Sequence, residues 1–182
     1  MQGIRVSRTQ TTEIETYNPI SIGASYSWVT SLDGVVGPDT RRIVMYHAYL
    51  TSLAGLEKST LLEHVYLGFN LIDKFRPEDA KITTIKTLDL VGNPITSLVH
   101  CPPCQELIVS ATLIEDLVGC PEGVEILRIG HSTHLRSLKG CPSSVKILEC
   151  SCAPNLVLEA EYFPPGIEEL HINGKVILYS VK

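Results

Sequence analysis

Apolar residues recur along this chain in a fixed figure. A leading aliphatic residue is followed two places later by another: Leu88-Asp-Leu90, Leu107-Ile-Val109, Leu127-Arg-Ile129, Leu148-Glu-Cys150 and Leu170-His-Ile172. Such alternation predicts a short strand with one buried face. Seven or eight residues after each leading position comes an apolar pair three apart: Ile95/Leu98, Ile114/Leu117 and Leu135/Leu138. In the next copy Leu156 keeps its place and Glu159 replaces the second member. Earlier copies are Ile43-Val-Met45 with Leu50/Leu53 and Val65-Tyr-Leu67 with Ile72/Phe75. Ile20-Ser-Ile22 with Val29/Leu32 is a weaker copy, and Ile4-Arg-Val6 with Ile14/Tyr17 reads as a degenerate first one. The leading positions are then 4, 20, 43, 65, 88, 107, 127, 148 and 170.

From position 88 onward the intervals are 19, 20, 21 and 22 residues. The clearest pair of copies is Leu117-Val-Gly-Cys-Pro-Glu-Gly-Val124-Glu-Ile-Leu127 and Leu138-Lys-Gly-Cys-Pro-Ser-Ser-Val145-Lys-Ile-Leu148. One such unit cannot bury its apolar stripe alone, so neighbouring coils are expected to stack around a continuous core. Pro102, Pro103, Pro121, Pro142, Pro164 and Pro165 forbid regular helix on the return side of the later coils. The earlier, longer coils leave room for a helical turn within Leu53 to Glu63 and within Pro77 to Lys81.

The composite L-x-x-L-x-L-x-x-N-x-L-x-x-L, carried by residues 40 to 182, resembles the leucine-rich-repeat family. The C-terminal coils resemble its shortest class, known from secreted bacterial effectors, with Gly119-Cys120-Pro121 and Gly140-Cys141-Pro142 where those have Leu-Pro turns. The Gly-Cys-Pro version is also similar to repeat proteins of large DNA viruses of the Marseillevirus type. The resemblance implies an α/β-type repeat solenoid. This would be a horseshoe with a parallel, concave β-sheet and mostly extended or short 3-10 or helical segments on its convex side. It also implies a protein partner held on the concave face. One departure concerns the Asn that bonds backbone inside each turn. It persists as Asn70 and Asn93, then becomes Thr112, Ser132 and Ala153. The expected organisation is a single domain over 1–182: degenerate coils to residue 39, regular coils over 40–169 and a terminal coil over 170–182.

Composition narrows the function. The chain is 44% hydrophobic and 19% charged, with net charge -5. This argues against disorder and against the basic stripe of a nucleic-acid binder. No run of residues is long and apolar enough for a membrane-spanning helix, and Met1 to Thr12 lacks the apolar segment of a secretory signal. An intracellular (cytoplasmic) or virion-packaged protein is expected, with no membrane partner.

Few residues invite chemistry. Cys101-Pro-Pro-Cys104 has the spacing of a redox pair or half a zinc site. Cys101, however, aligns with Cys120 and Cys141, and Cys104 with Val124 and Val145, so the repeat explains both as core residues. Cys150 falls on a buried strand position, and His131 and Cys152 share one place on adjacent coils, with His134 nearby. That arrangement supplies fewer ligands than zinc requires. Glu168 and Glu169 are adjacent strand residues that point to opposite faces. The nucleophile-elbow, phosphate-loop and dinucleotide fingerprints do not occur in the sequence. The reading is a non-enzymatic scaffold without cofactor, metal or catalytic residues.

Partner binding is assigned to residues flanking the buried strand positions: Tyr46, Tyr66, Asp89, Ile108, Ile126, Arg128, Ile147, Glu149 and His171. Ile108, Ile126 and Ile147 are expected to form an exposed apolar cluster there. Two alternatives stand beside this reading. One is a structural or packaged protein that self-associates through its solenoid ends, because Val176-Ile-Leu-Tyr179 closes the chain without a recognisable cap. The other is a thiol or metal site at Cys101/Cys104.

Overall fold

A computed structural model describes residues 3–5, 20–173 and 175–178, with side chains over 20–173 and at Lys175. The strands are β1 (Gly3–Arg5), β2 (Ser21–Gly23), β3 (Arg42–Val44), β4 (His64–Tyr66) and β5 (Thr87–Asp89), followed by β6 (Glu106–Ile108), β7 (Ile126–Arg128), β8 (Ile147–Cys150), β9 (Glu169–Ile172) and β10 (Lys175–Leu178). They form one sheet in sequence order, so the chain is a solenoid that adds one strand per coil. β1 to β9 run parallel. Among the described residues the return segments hold only single 3-10 turns, at Leu56–Lys58, Asp79–Lys81 and Ala160–Tyr162. The first two lie in the longer early coils, where helical turns are expected. The third falls among the extended C-terminal coils.

The register aligns Ile22, Ile43, Val65, Leu88, Leu107, Leu127, Leu148 and Leu170, and each is 1% exposed or less. This corrects the sequence reading by two residues at the second coil. Ile22, not Ile20, is the leading residue, and Ile20 is exposed. The correction restores the seven-residue step to Val29, the same step that separates Ile43 from Leu50 and Leu88 from Ile95. Ile4 pairs with Ile22 as a first-coil leading residue, whereas Ile14 and Tyr17 lie outside the described residues.

The Gly-Cys-Pro turn has a steric origin. Gly119 and Gly140 adopt φ of 88° and 86°. A Cβ on either would stand 2.6 Å from the backbone nitrogen of Val99 or Val118 in the preceding coil. The next residue closes the turn: Cys120 N–H donates to Leu117 O and Cys141 N–H to Leu138 O, each at 2.9 Å. Proline then sets an extended return that needs no donor.

The C-terminal end closes with a change of strand direction. Val176 to Leu178 do not start another parallel coil; β10 folds back antiparallel on β9. Tyr179 lies outside the described residues.

Candidate binding surfaces

Two surfaces stand out. The first is the solvent side of the sheet, where the parallel register places equivalent side chains side by side about 4.8 Å apart. Tyr46, Tyr66, Ile108, Ile126, Arg128, Ile147, Glu149 and His171 all sit there, half-buried. Asp89 departs from the expectation of an exposed residue and is 7% exposed. It accepts a 2.7 Å hydrogen bond from the Tyr46 hydroxyl, two coils away, and a 3.0 Å bond from Val91 N–H. The tyrosine crosses the intervening coil at Gly68, where a Cβ would lie 2.7 Å from its ring. Burial, then the bond to Asp89, push the Tyr46 phenol well above its ordinary range.

Arg128 bridges three strands. It donates to Glu149 at 2.6 Å on one side and to Glu106 at 3.2 Å on the other. Arg42 lies over the Tyr66 ring at 4.6 Å, and His171 sits 3.1 Å from Glu169. The register sets the three expected isoleucines in two adjacent columns. Ile126 and Ile147 are direct neighbours, but Ile108 pairs with Arg128 in the next column. All three are half-buried rather than exposed.

The second surface was not anticipated from the sequence. It lies on the flank where the chain leaves the sheet. Four places after each leading residue, Tyr26, His47, Phe69, Gly92, Ala111, His131 and Cys152 all adopt φ between 54° and 68°. Left-handed backbone costs a non-glycine residue roughly 1–2 kcal/mol. It is offset here because each N–H from Tyr26 to His131 donates to the next coil, at 2.6 to 3.2 Å. The turn therefore stacks in register, and its side chains stack with it. The rings of Tyr26 and His47, and of His47 and Phe69, lie 4.8 Å apart with planes 16° and 4° from parallel. The ladder ends where Phe69 covers Gly92, within 2.5 Å of where a Cβ would sit. Two residues further on, Trp28, Tyr49 and Leu71 form a second exposed column. His47, Tyr49, Phe69 and Leu71 line a shallow pocket between the two columns. The signal was present as aromatic residues at positions 26, 47 and 69. It aligns only with Ile22, not Ile20, as the leading residue of the second coil.

All six cysteines are free. Cys101 and Cys104 are buried in the core. Burial, then neighbouring thiols, push the Cys101 thiol well up; burial, then Glu106, push Cys104 up to about 12. Cys120 is raised as well, and Cys141 and Cys150 reach about 12, with burial the leading cause in each. Such groups are protonated packing residues at neutral pH. Cys152 and His131 are exposed side chains of the left-handed turn. Among the described residues there is no group of three or more His, Cys, Asp or Glu placed to hold a metal ion. No described helix is long and apolar enough to cross a membrane.

Comparison with protein-family models, with curated proteins and with solved structures gives no match for this chain.

Proposed function

We propose that the chain is a leucine-rich-repeat scaffold that binds a protein partner on the solvent side of its sheet and catalyses no reaction. The leucine-rich-repeat assignment rests on the sequence composite and on its agreement with a parallel solenoid of one strand per coil. The observation that carries the binding reading is the cross-coil bonding of the sheet face. Arg128 is held between Glu106 and Glu149, and Tyr46 is tied to Asp89 across Gly68. Side chains locked before contact lose little entropy on binding, which favours a specific partner over a merely solvated surface. Ile126 and Ile147 supply adjacent apolar area beside those fixed polar groups.

The test is quantitative affinity capture from the native cell with three proteins: wild type, Ile126→Asp with Arg128→Glu, and Tyr49→Ser with Leu71→Ser. Loss of a defined partner from the sheet-face variant, with retention by the flank variant and comparable thermal unfolding, is the expected result. An identical capture profile for all three proteins would remove the sheet face from consideration.

A further inference from the structure

The aromatic flank is not part of the sheet-face reading. We infer that it is a contact between two copies of this chain, ladder against ladder about a two-fold axis. Such a contact must be self-complementary, since each copy offers the same patch. The equivalent residues 25–30, 46–51 and 68–73 contain one Lys, Arg, Asp or Glu, the exposed Asp73, which an antiparallel arrangement sets opposite Thr30 rather than opposite its own counterpart. The patch can therefore face itself without opposing like charges.

The spacing also fits. The rings repeat every 4.8 Å, and a second copy carries the same repeat. With the two ladders antiparallel, Tyr26 of one copy faces Phe69 of the other, and His47 faces its own counterpart at the axis. Every rung then finds a rung, whereas a partner of unrelated fold has no reason to share the period.

Area sets the expected strength. Tyr26, Trp28, Tyr49, Phe69 and Leu71 are 48% to 59% exposed, and His47 is exposed beside them. At roughly 100 Å² for each half-exposed large side chain, the six present on the order of 600 Å². That is at the upper end of what a monomer typically leaves uncovered. Two such patches would bury about 1,200 Å², the low end for a specific interface. A reversible dimer is expected, one that dissociates on dilution.

Sedimentation equilibrium on the full chain tests this over roughly 1 μM to 1 mM, the range in which an interface of this size exchanges. The expected mass rises from the 20.0 kDa monomer toward twice that value. Tyr49→Ser with Leu71→Ser should weaken association at least tenfold, with an unchanged circular dichroism spectrum. A second measurement does not depend on how that variant folds. In a Cys152→Ser background, His47→Cys places a thiol at the axis and should give a disulfide-linked dimer on oxidation. Thr133→Cys, exposed on the same side of a later coil, should give none. Three results would each overturn the inference: a wild-type chain that stays monomeric throughout the series, undiminished dimerisation of the flank variant, or equal cross-linking through positions 47 and 133. Stoichiometric occupation of the flank by a different protein in a purified native complex would overturn it as well.

Discussion

The side-chain amide of Asn70 donates to the carbonyl oxygen of Met45, one coil earlier, at 2.7 Å. The same amide reaches Leu67 O and Gly68 O, and its oxygen accepts from Ala48 and Leu50 N–H. One buried side chain thus bonds the backbone of two coils. Ser132, at the equivalent place five residues after Leu127, is also fully buried, but its hydroxyl has no partner within the described residues. Asn70→Ala should therefore cost about 3 kcal/mol or more, because several buried backbone groups lose their bonds together. Ser132→Ala should change stability by less than about 0.5 kcal/mol or raise it slightly. Urea unfolding of the two variants makes the comparison, and equal losses would refute this account of the ladder.

Two glycines in one coil separate steric clash from backbone strain. Gly119 and Gly123 both have positive φ, at 88° and 93°. Only Gly119 presses on the preceding coil; nothing lies within 4 Å of a Cβ at Gly123. Gly123→Ala should cost about 1 kcal/mol, from left-handed strain alone. Gly119→Ala should cost distinctly more, since only backbone can give way. The difference in denaturant midpoint at constant slope is the measurement.

Thiol titration should distinguish packing cysteines from reactive ones. Cys152 is exposed, whereas the other five are wholly or largely buried. In the native protein one thiol per chain should react rapidly with a disulfide reagent, and Cys152→Ser should abolish that phase. All six should react in denaturant. Rapid native reaction of Cys101 or Cys104 would revive the thiol-site alternative.

The same burial predicts loss of stability in alkali. Cys104, Cys141 and Cys150 titrate at about 12 when folded, against an ordinary value of 9.0. Below pH 9 both folded and unfolded chains keep these protons, and the contribution is fully present. As pH rises from 9 toward 12, the unfolded chain releases them while the folded chain does not, so stability falls. The melting temperature should decline over that interval, and Cys150→Ala should make the decline shallower. An unchanged slope would show that Cys150 does not contribute.

The sheet-face ion pairs should matter little to folding. Arg128 is 38% exposed at its side chain, and its partners Glu106 and Glu149 are 26% and 34% exposed. Arg128→Gln is expected to cost under about 1 kcal/mol, diminishing with added salt. A loss above 2 kcal/mol in unfolding experiments would mark the residue as structural rather than available for recognition.

Much of this was legible in one dimension. The buried positions of a solenoid are set locally, because each coil repeats the same small apolar figure and any stacking of coils must bury it. Leu88, Leu107, Leu127, Leu148 and Leu170 were therefore recognisable as core, and the cysteines as repeat markers. Register was weaker where the figure was ambiguous. Ile20 and Ile22 both satisfy an alternating pattern; the seven-residue step to Val29 favours Ile22, and hydrogen bonding to the neighbouring strand fixes it.

The surfaces were decided by the stack. Asp89 reads as an outward strand residue, yet Tyr46 reaches it from two coils away and covers it. Tyr26, His47 and Phe69 are separated by 21 and 22 residues in the chain. They become one ladder because each left-handed turn bonds to the next at a constant rise. Hydrophobic periodicity along the chain determined that these coils stack and what they bury. Which side chains meet on the outside depended on the exact offset between coils, and that offset is a property of backbone hydrogen bonds between strands, not of any single segment.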